Sequence, residues 1–467
     1  MKTKIYTALL AALVCLVSCN DQLDITPKGQ TILQKTSELE LLLNNQMGLG
    51  SNHNLCIVCN ECYPRNNVKS VLSKTNSLEY AFLTFDESVD RAALTPKDEI
   101  YSNAYANIYY TNIILERADA SEGGSEALKT QIKAEAHLLR AYEHYLLANI
   151  YARQYDEATA ATTPGVPYVE TTDVTTTKEK NTVAEDYEKM LADCADEYIA
   201  ALPDQAKEMR GSKAWGNAVR AKILYQMKHY SDALPYALKT LEYNSTIEDR
   251  RHVVDDGTWQ VEELAPSNIM YMPDVMGLPW GETVSLETLA KVEDGDIQFN
   301  YALDYGDLIW DEYYGQRRSG VEGSRYCSCF DLYWNNWGVT SDRMYYVAAE
   351  CYIRTGQIQK GMDLINKVRQ YRIAPDTYQP LTASTEQEAM DILQRCKWIE
   401  DLATYDNFFD SKRWNSEAAY SKTITRSMPV DGETKTYSIA PDSKLWVFPF
   451  PANAVRNNKN LTQNYDE

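Results

Sequence analysis

Small and aromatic residues recur along this chain at helical spacing. In Trp215 to Asn244, Ala221 and Ala233 stand twelve apart with Leu224, Tyr225 and Tyr230 between them, which predicts two short amphipathic helices joined at Lys228-His229. The spacing returns in Arg343 to Arg372: Ala349 and Gly361 are again twelve apart, Tyr352 holds the aromatic position and Gly356 supplies the turn. A third candidate runs from Ile132 to Ala158, where Ala134, Leu138, Ala141, Tyr142 and Tyr145 share one face and Tyr155 with Ala158 is expected to begin the next helix. Tyr101 to Ala118 carries the same kind of apolar stripe. A helix pair cannot hide its apolar face alone, and Ala or Gly at a crossing lets neighbours approach, so these tetratricopeptide-like pairs should stack into a helical scaffold.

The pattern breaks in two places. Asp156 to Lys180 is rich in Thr and Pro, and Val253 to Val339 has Pro266, Pro273 and Pro279 without helical period, which predicts a long irregular insert. That insert holds Trp259, Trp280, Trp310, Trp334 and Trp337, a content that disorder rarely tolerates, so an ordered binding surface is expected there.

The ends change the picture. A basic start (Lys2, Lys4) and an apolar run from Ala8 to Val17 precede Leu16-Val17-Ser18-Cys19, and the run is too short for a bilayer span of about 20 residues. It reads as a signal peptide over 1–18. Leu-Val-Ser-Cys resembles the lipobox of bacterial lipoproteins, so Cys19 is expected to be the lipidated mature N-terminus. Residues 19–28 then form a polar tether, and 29–467 a single domain with the irregular insert at about 253–339. Several acyl chains on one residue give durable attachment, each buried CH₂ adding about 0.8 kcal/mol.

The 467 residues carry a formal charge of −21, and −23 once Lys2 and Lys4 leave with the signal, which argues against nucleic acid as a partner. His53, Cys56, Cys59 and Cys62 are closely spaced, but a structural zinc site normally pairs two ligand groups across a longer loop; disulfide-bonded or free thiols are the expectation, and no metal or cofactor is assigned. Cys327-x-Cys329 reads as structural. Only five His occur, and no His-Glu-x-x-His, Gly-x-Ser-x-Gly, phosphate loop or dinucleotide fingerprint is present, so no enzyme activity is expected.

Three blocks resemble the SusD/RagB outer-membrane lipoproteins of Bacteroidetes. The first is Cys19-Asn20-Asp21-Gln22-Leu23-Asp24-Ile25-Thr26-Pro27. The second is Ala134-Glu135-Ala136-His137-Leu138-Leu139-Arg140-Ala141-Tyr142 with Pro164-Gly165-Val166-Pro167-Tyr168-Val169, His137 replacing the usual aromatic. The third is Asp410-Ser411-Lys412-Arg413-Trp414, then Leu445-Trp446-Val447-Phe448-Pro449-Phe450-Pro451 and the closing Leu461-Thr462-Gln463-Asn464. Ala403-Thr404-Tyr405-Asp406-Asn407 departs from the family, which often carries an Arg and a Gly there.

The resemblance implies a mostly α SusD-like fold on tetratricopeptide-like helix pairs. It also implies a lid on a TonB-dependent, SusC-like transporter, holding glycan or, in the RagB branch, peptide. Sugar rings stack their CH faces on Trp and Tyr while their hydroxyls take polar partners, so a glycan site needs both kinds of residue together. Tyr63, Arg65 and Asn67 in the N-terminal loop, with Trp280, Trp310, Tyr313, Tyr314, Arg317, Trp334 and Trp337 in the insert, are the candidate ligand residues. Arg140, Arg413 and Trp414 are assigned to scaffold packing, and Glu135 and Arg140, five apart, to different helix faces. A glycan is the expected ligand; a basic peptide, or a scaffold role without soluble ligand, are the alternatives.

Overall fold

A computed structural model describes residues 33–44, 49–206, 209–249, 265–273, 283–297, 303–305, 319–327 and 335–466. Helices dominate it. Helices α1 (Thr36–Leu43), α2 (His53–Val58), α3 (Val68–Leu72) and α4 (Leu78–Thr84) lead into the long pair α5 (Glu99–Arg117) and α6 (Glu126–Tyr151). Next come α7 (Val183–Asp193), α8 (Asp196–Ala201), α9 (Lys213–Gln226) and α10 (Tyr230–Tyr243). A single turn, α11 (Leu286–Leu289), precedes α12 (Ser341–Arg354), α13 (Ile358–Arg369), α14 (Glu386–Glu400), α15 (Asp406–Asn415) and α16 (Ala452–Asn457).

The predicted pairs form. Helix α5 packs on α6, α9 on α10 and α12 on α13, and α10 lies against α12 so that neighbouring pairs share a face. Ala221, Ala233, Ala349 and Met362 are fully buried, and a Cβ on Gly361 would sit 2.8 Å from the Ala349 carbonyl, so the small residue is what permits the crossing. The turns use left-handed backbone at Lys228 (φ 67°) and Gly356 (φ 78°).

The third prediction needs correction at its end. Helix α6 stops at Tyr151, and Tyr155 to Ala158 do not start a helix; the next begins at Val183. Tyr155 instead packs its ring 5.0 Å from Tyr187 of α7, so its apolar character serves a turn against the scaffold rather than a new helix face.

The carbonyls orphaned at the C-terminal end of α6 receive donors from distant sequence. Phe448 N–H donates to Ile150 O at 2.9 Å, Asn464 Nδ2 to Tyr151 O at 2.8 Å, and Lys412 Nζ to Asn149 O and, at 2.7 Å, Ala152 O. The closing Leu-Thr-Gln-Asn is therefore a clasp: Gln463 also exchanges two hydrogen bonds with the Phe450 backbone, at 2.8 and 2.9 Å.

Helix α15 sits at the centre and is almost wholly buried, its charges included. Arg413, 0% exposed, pairs with Glu350 of α12 at 2.5 Å and Asp410 at 2.8 Å, and its guanidinium lies 3.9 Å from the Tyr225 ring of α9. Asp406 takes Lys222 of α9 at 2.6 Å and Arg343 of α12 at 3.4 Å, while Asp410 takes Lys397 of α14 at 2.7 Å. Burial would raise the Glu350 carboxyl, but Arg413 beside it holds it below the ordinary carboxylate value. The scaffold assignments of Arg413 and Trp414 agree with this, as does that of Arg140, which grips Asp193 of α7 through two bonds of 2.7 Å. Glu135 faces elsewhere and pairs with Arg210 at 2.7 Å. His137, where the family prefers an aromatic, still stacks as one would: its ring lies 4.0 Å from Tyr198, and its Nδ1 is 2.8 Å from Asp193 Oδ1.

The departure from the family at residue 403 shows in the backbone. Ala403 adopts φ 63°, a region glycine occupies without cost. Its N–H donates to the Glu61 carboxylate and its carbonyl accepts from Asn52 Nδ2 at 2.8 Å and Asn336 Nδ2 at 2.9 Å, so three segments hold the strained unit in place.

Among the described residues, the region expected to be irregular contains short strands. Strands β1 (Cys62–Tyr63), β3 (Thr283–Val284), β5 (Arg325–Cys327) and β4 (Leu303–Tyr305) form an antiparallel sheet in that order. Strand β2 (Asn268–Met270) pairs with β6 (Val339–Thr340), and β7 (Ile424–Val430) forms a hairpin with β8 (Glu433–Ile439). Cys56, Cys59 and Cys62 are all buried.

Removing Arg413 strands Glu350 in the core, so Arg413→Met should destabilise by about 3–5 kcal/mol in urea unfolding, and a second change, Glu350→Met, should recover much of the loss. A single mutant within about 0.5 kcal/mol of wild type would mean that the pair carries no structural weight. Burial pushes the Glu143 carboxyl up to about 8, while Asn107 Nδ2 donates to it at 2.8 Å. A carboxyl raised from about 4.3 when unfolded stabilises the fold fully at low pH and loses that contribution as pH rises towards 8. Wild type should therefore lose stability relative to Glu143→Gln between pH 5 and pH 8, and parallel pH profiles would refute this.

Candidate functional site

The N-terminal loop and the insert, far apart in sequence, meet in the structure. Strand β1 pairs with β3 in the register Cys62 to Val284 and Tyr63 to Thr283, and Ser285 N–H donates to Glu61 O at 3.0 Å. One turn on, Val68 N–H donates to Ser319 O at 2.8 Å, and a Cβ on Gly320 would stand 2.5 Å from Asn67 Nδ2. The corner carrying Arg65 and Asn67 is thus fastened to the residues that follow segment 306–318.

The candidate residues divide. Arg65 is exposed and Asn67 half-buried; Asn67 Oδ1 caps α3 by accepting from Lys69 N–H at 3.1 Å, which leaves its amide nitrogen toward Gly320. Two candidates are corrected. Tyr63 is 0% exposed, packed with Val68, Val71, Leu83 and Met428, and its Oη accepts from Leu286 N–H at 3.1 Å. Trp337 is also 0% exposed: its Nε1 donates to Gly50 O at 2.7 Å, its ring stacks 5.8 Å from Tyr405, and its carbonyl accepts from Tyr142 Oη at 2.6 Å. Both rings fill core volume, Tyr63 because the pairing of β1 with β3 turns it inward and Trp337 through its contacts with Gly50 and Tyr405, so neither presents a face to a ligand. Cys19, Trp280, Trp310, Tyr313, Tyr314, Arg317 and Trp334 lie outside the described residues.

A cleft of about 300 Å³ that no sequence motif indicated opens between α14, α15, β7 and α11. Trp398, Trp414 and Tyr420 form its apolar wall, and Asn60, Gln394, Asn415, Lys291 and Lys422 its polar lining. Trp398 is fixed by Nε1 donating to Thr288 Oγ1 at 2.9 Å, and Trp414 by Nε1 donating to Glu350 Oε1 at 3.1 Å. Lys291 Nζ lies 4.8 Å from the Trp398 ring, and burial lowers its ammonium below the ordinary lysine value. Its volume is at the small end for a ligand pocket, enough for one sugar ring. Four separate segments contribute, which is why no local pattern could reveal it.

A family model described as "Starch-binding associating with outer membrane" matches residues 26–225, and the SusD family model matches residues 342–466. The chain belongs to the SusD/RagB family. Members of that family are non-catalytic binding proteins. Among solved structures, a SusD superfamily protein from Bacteroides thetaiotaomicron VPI-5482 superimposes with TM-score 0.71 at 15% identity, covering 92% of this chain and 99% of that one. A SusD-like carbohydrate binding protein from Bacteroides vulgatus ATCC 8482 gives TM-score 0.65 at 16% identity, over 92% and 98% of the two chains. Surface glycan-binding protein A from Bacteroides uniformis gives 0.65 at 14%, over 92% and 99%. At such identities the likeness establishes the SusD-like fold. No curated protein matches the chain significantly.

Proposed function

We propose that this protein is a surface lipoprotein that captures an oligosaccharide and passes it to a TonB-dependent, SusC-like transporter in the outer membrane. The observation that carries the ligand reading is the fastening of the N-terminal corner to the insert through β1–β3 and the Val68–Ser319 hydrogen bond. It fastens the corner that carries exposed Arg65 and Asn67 to Ser319 and Gly320, which follow in sequence the segment that holds Trp310, Tyr313, Tyr314 and Arg317. Aromatic faces beside guanidinium and amide donors are what a sugar ring requires. The names of the B. vulgatus and B. uniformis neighbours, carbohydrate binding and glycan-binding, support the same ligand class. A peptide of basic character is the second reading, favoured by the formal charge of −21.

Attachment rests on Cys19, since no described helix is long and apolar enough to cross a membrane. Cys19→Ser should move the protein from the outer-membrane fraction to a soluble one; unchanged fractionation would remove the anchor from the proposal.

For the ligand, the chain from Asp21 onward should bind members of a glycan array and not a parallel peptide library. Arg65→Ala, Trp310→Ala and Tyr314→Ala should each weaken the glycan signal at least tenfold, or about 1.4 kcal/mol. Binding to peptides alone would replace the glycan reading with the peptide one.

A further inference from the structure

A second cleft, of about 240 Å³, opens where the end of α6, helix α15 and the loop after β8 meet. Its polar lining includes Arg153, Lys412, Asn415, Ser416 and Ser443, and Asp442, which is exposed, is the one carboxylate among its lining residues.

Lys412 is the unusual group. Three lysines are buried among the described residues, and two of them have counterions: Lys222 Nζ lies 2.6 Å from Asp406, and Lys397 Nζ lies 2.7 Å from Asp410. Lys412, 4% exposed, has no carboxylate within 4.0 Å among the described residues and donates only to the Asn149 and Ala152 carbonyls. Two of the three ammonium protons meet these carbonyls, and beyond them Nζ has only the Phe408 ring, 5.5 Å from its centroid, as a partner. Capping the end of α6 accounts for part of its position, but a helix terminus offers only about half a negative charge, and Arg153 adds a second cation to the same cleft. Burial first, then the Arg153 guanidinium, push the Lys412 ammonium down to about 7, the behaviour of a cation whose counterion is missing.

An independent observation comes from Asn415. Three residues beyond Lys412, it shares that face of α15 and stands in the wall common to both clefts. Its Oδ1 accepts from Lys422 N–H at 3.3 Å, which orients the amide, and its Nδ2 is buried with no hydrogen-bond partner. A buried donor without an acceptor costs about 1–3 kcal/mol, and an oxyanion would supply the acceptor.

We propose that this cleft binds an oxyanion, a carboxylate or sulfate group, held by Lys412 Nζ and Asn415 Nδ2 with Arg153 alongside. The anion is either free in solution or the acidic group of a charged sugar, and both present the same oxygens to the same donors. None of these residues belongs to the Arg65 corner, so this site stands or falls separately from the capture surface.

Isothermal titration of the chain from Asp21 onward with sodium sulfate, and with a glucuronate disaccharide, tests it at pH 7. Sulfate should bind, and Asn415→Leu should weaken binding at least tenfold while Lys412→Met abolishes it. Because Lys412 also caps α6, a second readout uses the folded wild type: the ¹³Cε signal of Lys412 should titrate at higher pH when sulfate is present, since an anion favours the ammonium. Glucuronate competing with sulfate identifies the anion as a sugar acid, and sulfate binding without competition identifies a free inorganic ion; both support the site. No binding of either anion, or binding unchanged in Asn415→Leu with an unmoved Lys412 titration, overturns it.

Discussion

Charge buried around α15 is the constraint on which the rest of the structure depends. Asp406, Asp410 and Arg413 are each nearly or wholly excluded from solvent, and their partners come from α9, α12 and α14. An ion removed from water is expensive unless it is matched at close range, so these helices cannot slide or rotate independently without stranding a charge. Apolar packing alone would tolerate several registers of two alanine-lined helix pairs; a guanidinium between Glu350 and Asp410 tolerates one. The aromatic rings around it, Tyr225, Tyr230 and Trp414, complete its contacts without adding flexibility.

The same helix links the scaffold to the ends of the chain. Lys412 reaches the terminal carbonyls of α6, which also receive Phe448 and Asn464, so the longest described helix is closed by residues more than 260 positions later. Its middle is held by Asp193 through Arg140 and by Arg210 through Glu135. Such long-range closure joins two of the blocks that carry the family resemblance, the helix that contains residues 134–142 and the C-terminal segments that hold Lys412, Phe448 and Asn464.

The loops rest on this frame. The N-terminal corner and the insert meet through one short sheet and through hydrogen bonds that include those of Val68, Ser285 and Leu286. Surface loops need little core of their own when the scaffold beneath carries the buried charge and most of the apolar area. Ala403 shows the opposite case, a strained residue held by Glu61, Asn52 and Asn336 because three segments converge on it.

From the sequence by itself, helix pairing could be read, because small residues twelve apart with aromatics between them encode a close helix crossing whatever surrounds it. The Lys228 and Gly356 turns were legible for the same local reason, and so were the scaffold roles of Arg140, Arg413 and Trp414 through the family resemblance. What only the tertiary structure decided was which aromatic faces inward. Tyr63 and Trp337 look like ligand residues because they sit among polar neighbours, yet strand pairing and the contact with Tyr405 bury them. Tyr155 likewise joined a helical pattern that ended at Tyr151. Both clefts escaped sequence reading because each collects side chains from several separate segments, and whether a buried lysine has a carboxylate beside it is decided in three dimensions.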